Sequence, residues 1–321
     1  MLRLATRNKW IVTGARKAIT KLSAEAISPL CGASIQANPA PSQRPIRNVL
    51  PTLLLLALST LLTFSPHTLM ADEPAADKNR PVISVTLPPL AGLIRMLNVD
   101  AEIITLLPAN ADPHHFQLTP KQVETVRTSP LLIRASHDDA NWPSLPAKTT
   151  LDLWPDTSHA WLSPQAVLSE LPTLATELAA RFPQQADTIN RSLPAALSSA
   201  RRISQAWRKR LAPFREHGVI MQHPSWRGLC EEMGVPVLAV LESPQHGHEN
   251  SPRKLEKALD TLHAHPKALL LGDARHSNRS LQWLADHAPG KKHFLLLDGL
   301  GNRNQRWDEF MHANLNRVPS E

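Results

Sequence analysis

The segment from Ser163 to Phe214 holds no strand pattern, and this gap constrains the fold more than any other feature. Apolar residues recur there at Ala186, Ile189, Leu193, Leu197, Ala200, Ile203, Trp207, Leu211 and Phe214. Steps of three and four lay one continuous stripe along a helix. Arg201, Arg202, Arg208 and Lys209 fall between the apolar positions and suit a solvated side. A preceding helix starts at Ser163-Pro164, with Leu168, Leu171, Leu174, Ala175 and Leu178 on one face. Pro194 lies inside the second pattern, where its missing N–H predicts a kink or a restart. Patterned regions on both sides make 183–214 a stiff connector helix.

Those flanking regions alternate strand and helix. Before the gap, VISVTL (82–87), 103–107 and LLIRA (131–135) read as strands. Thr119, Pro120 and Gln122 supply an N-cap, a first helical residue and a capping-box partner. After the gap, 219–222, 235–241, 268–272 and 294–297 read as strands, with helices near 225–233, 252–264, 278–288 and 305–317. Such alternation predicts parallel sheets with helices on their faces. The expected fold is therefore α/β: an N-terminal lobe over 72–182, the connector over 183–214 and a C-terminal lobe over 215–321.

Charge and cysteine content narrow the function. Of the chain's 35 Lys/Arg and 28 Asp/Glu, eight and one lie in residues 1–71, leaving the body with 27 of each. A nucleic-acid binder needs a basic body, so that class is excluded. Residues 1–71 read instead as an export leader. Arg44 and Arg47 precede VLPTLLLLALSTLLTF at 49–64, shorter than the roughly 20 residues of a membrane span. Cleavage is expected near Ala71, and the stretch ahead of Arg44 suggests a start codon placed too early. Cys31 leaves with the leader. Cys230 then stands alone in a helical context and is expected to be a small core residue. A disulfide scaffold is excluded.

In open α/β sheets, ligands bind beyond the carboxyl ends of strands. His114, in DPHHFQLTP, follows the second strand; His159 precedes the Ser163 helix start; His223 directly follows VIMQ; Asp298 directly follows FLLL. Far apart in the chain and drawn from both lobes, they describe a site assembled between the lobes. Three imidazoles and a carboxylate suit zinc, whereas manganese prefers a more oxygen-rich shell. His115 competes with His114, and Asp273, at the end of ALLLG, competes with Asp298. His246 and His248 form an H-x-H in a polar loop, and His137-Asp138-Asp139 follow another strand.

These residues resemble the solute-binding proteins of ABC importers for zinc and manganese. Pro113-His114-His115-Phe116 with Thr119-Pro120 matches the family's P-H-x-[FY] ahead of a Pro-started helix. His159-Ala160-Trp161-Leu162-Ser163-Pro164 matches H-x-W-[LM]-[SD]-P. His223 with Trp226, and Leu297-Asp298-Gly299-Leu300-Gly301, match the third and fourth motifs. Glu249-Asn250-Ser251-Pro252 stands where E-P-S-P is usual, and the His-rich loop common between the first two ligands is short here. The resemblance spans nearly all of 82–317.

It implies two lobes joined by a rigid helix, with the ion held by His114, His159, His223 and Asp298. It implies a monomeric periplasmic receptor, not an enzyme, that hands its ion to a membrane permease. A histidine at the third position favours zinc over manganese. Because the ligands must be deprotonated, affinity is expected to fall as pH drops through the imidazole range. A secreted zinc hydrolase is the competing class, but the chain has neither H-E-x-x-H nor a complete H-x-H-x-D-H. A periplasmic zinc buffer working without a permease is a third reading.

Overall fold

The computed structural model describes residues 80–319 except 110, 114, 137–144, 243–250 and 291. The expected leader lies outside the described residues, as do His114, His137, Asp138, Asp139, His246, His248, Glu249 and Asn250.

The first sheet comprises β1 (Val82–Val85), β2 (Glu102–Thr105), β3 (Leu131–Arg134) and β4 (Thr150–Asp152), parallel throughout, in the order β2-β1-β3-β4. Ile83, Val85, Leu131, Leu132 and Ile133 are fully buried, as expected of parallel strands covered on both faces. β4 carries no readable signal in the sequence, because TLD is three residues long and sits at the sheet edge. Helices α1 (Pro88–Met96) and α2 (Pro120–Thr128) connect the first three strands. The predicted capping box is present: the Gln122 backbone N–H donates to the Thr119 hydroxyl, and Gln122 Oε1 accepts from the Thr119 backbone N–H. Gln122 Nε2 also donates to the Leu106 carbonyl at 2.6 Å, fixing the start of α2 against the end of β2.

α3 (Pro164–Arg181) and α4 (Ala186–Arg210) follow without an intervening strand. α4 is the connector, bracketed by 3-10 turns at Pro183–Gln185 and Ala212–Phe214. It runs through Pro194 without restarting. Ile189, Ala196, Ala200, Ile203 and Trp207, all on the predicted stripe or beside it, are buried.

The second sheet repeats the topology of the first: β5 (Val219–Met221), β6 (Val237–Val240), β7 (Leu269–Asp273) and β8 (His293–Leu297), parallel, in the order β6-β5-β7-β8. Its helices are α5 (Arg227–Met233), α6 (Pro252–Ala264), α7 (Arg279–His287) and α8 (Trp307–Leu315). Strand alternation sorts its side chains. Val219, Met221, Leu269 and Leu271 join the core shared with the first sheet, while Ile220 and Leu270 enter a separate core under α6 and α7.

α8 packs on α1 and α4, and Gly92 permits the approach, since a Cβ there would lie 2.7 Å from the Trp307 backbone nitrogen. Ser199 Oγ of α4 donates to Asp308 Oδ2 at 2.5 Å, and Arg210 Nη1 donates to the Leu315 and Val318 carbonyls at 3.0 and 2.5 Å. The end of the chain is thus bound along the connector to the first lobe. No helix among the described residues is long and apolar enough to cross a membrane.

Candidate metal centre

His159 occupies a left-handed backbone conformation, φ 56° and ψ 22°. That conformation costs a non-glycine residue about 1–2 kcal/mol, so the surroundings must hold it. Trp161, two positions on and buried, donates its Nε1 to the Gly299 carbonyl at 2.8 Å, while its own carbonyl accepts from Trp307 Nε1 at 2.7 Å. Ser163 Oγ caps α3, accepting from the Ala166 N–H at 3.2 Å, and donates to Glu232 Oε2 at 2.8 Å. Glu232 Oε1 in turn accepts from Ser204 Oγ of α4 at 3.1 Å. The turn carrying His159 is therefore bonded to elements of the second lobe and, through Glu232, to the connector.

His223 directly follows Gln222 at the end of β5, where the strand order of the second sheet reverses direction. It is buried, with Nδ1 3.5 Å from Glu242 Oε2. Glu242 Oε1 accepts from Gln222 Nε2 at 2.6 Å, and Gln222 Oε1 accepts from the Leu281 N–H at 3.1 Å. Burial works to raise the Glu242 carboxyl, but His223 and Gln222 outweigh it and hold it below the ordinary glutamate value. Trp226, the aromatic expected three positions on, is buried against Trp207 of α4, ring centres 5.9 Å apart.

The imidazoles of His159 and His223 come from different sheets and meet at a centroid separation of 5.3 Å, 76° between planes. A third imidazole lies alongside. His276, just beyond β7, is near-parallel to His223 at 5.1 Å and 6°. Its Nδ1 is 3.6 Å from Asp112 Oδ2. Asp112 precedes His114 in the loop after β2, so it carries the first lobe's loop to the same point. His115, the competitor to His114, has a side chain 75% exposed and faces outward.

Asp298 follows β8, as expected, but its carboxylate is engaged. Arg275 grips it with two hydrogen bonds, Nε to Oδ1 at 2.7 Å and Nη2 to Oδ2 at 3.0 Å. Oδ1 also accepts from the Leu300 and Gly301 N–H groups at 3.0 and 3.1 Å. Burial would raise this carboxyl, yet the Arg275 fork and the backbone donors keep it below the ordinary aspartate value. Asn314 of α8 fixes the backbone, exchanging hydrogen bonds with Asp298 N and O at 2.7 and 2.9 Å. Its rival Asp273, at the end of β7, is buried, and its Oδ1 accepts from the Arg275 N–H at 2.8 Å. Burial pushes its carboxyl up, against the opposing pull of His276.

Of the four predicted ligands, the structure thus brings His159 and His223 together and places Asp298 against Arg275; His114 is outside the described residues. His276, Arg275, Glu242 and Asp112 were not singled out from sequence. The strand-end rule that found Asp273 extends to His276, three positions later in the same turn. No group of three or more His, Cys, Asp or Glu among the described residues is already set at coordinating distance. Imidazole as a ligand type suits a borderline cation such as zinc.

Two parallel sheets of like topology, a long connecting helix, and imidazoles gathered past the strand ends define a metal-type periplasmic binding protein. A model of the zinc-uptake complex component A, a periplasmic family also called ZnuA, matches residues 83–320. The chain belongs to this family, which groups with the solute-binding proteins of zinc and manganese ABC importers. The family is one of periplasmic metal-binding receptors and not of enzymes. A crystal structure of ZnuA superposes with a TM-score of 0.65 and 22% identity, covering 75% of this chain and 98% of that one. The solute-binding protein FpvC of Pseudomonas aeruginosa, in complex with Mn2+, gives 0.62 and 21%, covering 74% and 97%. A protein of Chlamydia muridarum described as metal-binding is 21% identical over 201 residues, 57% of this chain and 72% of its own length.

Proposed function

We propose that the protein captures zinc between its two lobes, 72–182 and 215–321, and delivers it to the permease of an ABC importer. The observation that carries this reading is the meeting of His159 and His223 across the two sheets. Carboxylates stand outside two of the rings, Glu242 at His223 and Asp112 at His276, as in the carboxylate–histidine pairs that orient metal ligands. His114 supplies a further imidazole from the loop that carries Asp112. The fourth position is open to Asp298 only by displacing the Arg275 guanidinium. Imidazole-rich surroundings favour zinc over manganese. FpvC carries Mn2+ and a deletion mutant of ZnuA carries zinc, so both metals belong in the test. The anchoring of α8 on α1 and α4 opposes wide separation of the lobes, and release then depends on the permease drawing ligands away. Export to the periplasm by residues 1–71 belongs to the same reading.

Metal titration with elemental analysis tests it. About one zinc per chain is expected, bound in preference to manganese and lost in both His159→Ala and His223→Ala. Full metal retention in both variants moves the site elsewhere.

A further inference from the structure

We infer that His276, rather than Asp298, supplies the fourth donor to the cargo ion, while Asp298 serves as the anchor of Arg275. This inference rests on the zinc reading above and adds to it a residue that follows from the structure alone.

The spacing of the rings is the first support. Two imidazoles on one tetrahedral zinc, with Zn–N bonds of about 2.0–2.1 Å, hold their ring centres roughly 5.2 Å apart. His159 to His223 is 5.3 Å and His223 to His276 is 5.1 Å. Ring contacts elsewhere in the molecule run from 4.2 Å, for Trp283 and His287 on α7, to 6.0 Å, for Phe214 and His293. His223 and His276 are stacked at an ordinary contact distance that is also compatible with a shared ion. Their planes are near-parallel, and an ion must lie in the plane of each ring that binds it. His276 must consequently turn about its Cβ–Cγ bond as the ion enters.

The carboxylates give the second support. Glu242 faces Nδ1 of His223, and Asp112 faces Nδ1 of His276. In both rings the nitrogen turned from the carboxylate is Nε2, the same choice twice. Four neutral imidazoles around a dication leave its charge uncompensated in the shell, and two carboxylates one step outside are placed to offset it.

Asp298 gives the third. Its Oδ1 already accepts three hydrogen bonds and its Oδ2 one. Arg275 Nη2 also donates to the Gly301 carbonyl at 2.5 Å. Binding zinc through Asp298 would break a charge-assisted fork and leave a largely buried guanidinium beside a dication. The turn that carries Arg275 and His276 is itself fixed. Asn278 Nδ2 donates to the Asp273 and His276 carbonyls at 2.8 and 3.0 Å, and its Oδ1 accepts from the Asp273 N–H at 3.1 Å.

The test is zinc K-edge X-ray absorption on the wild-type protein, paired with competitive zinc titration of His159→Ala, His276→Gln and Asp298→Asn. A shell of four imidazoles is expected. His276→Gln should weaken zinc by at least about tenfold, and Asp298→Asn by less than that. A carboxylate in the shell, or a loss in Asp298→Asn equal to or above that in His276→Gln, overturns the inference. The absorption spectrum needs no variant to fold. Absence of zinc from the wild type, or its full retention in His159→Ala, instead brings down the zinc reading itself.

Discussion

Trp307 Nε1 donates to the Trp161 carbonyl at 2.7 Å across 146 positions of sequence. Trp161 Nε1 passes the connection on to the Gly299 carbonyl at 2.8 Å. The chain's last helix, the turn carrying His159 and the turn carrying Asp298 are thereby one hydrogen-bonded unit. A receptor that must present ligands from two sheets to one ion gains from this, because the backbone turns that carry them are held before the ion arrives.

Trp307→Phe tests the connection, since it keeps most of the ring and removes the donor. The buried Trp161 carbonyl then lacks this partner, and a loss of about 1–3 kcal/mol in folding stability is expected. Chemical denaturation measures it. Zinc affinity should fall in the same variant, because the His159 turn loses its support.

At His159, function and stability pull apart. Glycine adopts φ 56° freely, while alanine carries the same strain as histidine. Metal-free His159→Gly should therefore be more stable than metal-free His159→Ala by about 1 kcal/mol, read as a higher melting temperature. Both should lose zinc binding. Equal melting temperatures would show that the turn relaxes out of the left-handed region.

Asp308 sets an acid-side dependence of stability away from the metal centre. Burial opposes its ionisation, but Arg306 and the Ser199 hydroxyl outweigh burial and hold its pKa below the ordinary 3.8. A carboxyl lowered by folding stabilises fully above its unfolded pKa, and that contribution disappears as pH falls through the folded-state value. Asp308→Asn should thus be less stable than wild type at pH 7. The gap should narrow only as pH drops below the ordinary carboxylate range. Denaturation midpoints taken from pH 7 down to acid denaturation show this; a gap constant with pH would refute it.

Cys230 should behave as an inert core residue. Burial, with the neighbouring Glu231 charge adding to it, pushes its thiol up to about 12. Iodoacetamide at pH 8 should leave Cys230 of the folded protein unmodified and label it once denatured, as peptide mass spectrometry reads directly. Rapid labelling of Cys230 in the native protein would place its thiol at the surface.

Much of the architecture was legible locally. The strand–helix alternation, the connector stripe from Ala186 to Phe214 and the Thr119–Gln122 cap depend on residues a few positions apart, and the structure contains all three. His159 and His223 were legible for the same reason: each stands at a strand end or a helix start, which pattern alone locates. The three-residue β4 was too short to announce itself. What only the tertiary structure decided is which strand ends lie side by side. The closeness of β7 and β8 puts Arg275 on Asp298, and the approach of the loop after β2 puts Asp112 beside His276. The return of α8 to α1 likewise depends on Gly92 having no side chain. Ionic pairing and close packing act over a few ångströms of space whatever the distance in sequence, so a local pattern names the candidates and the fold chooses among them.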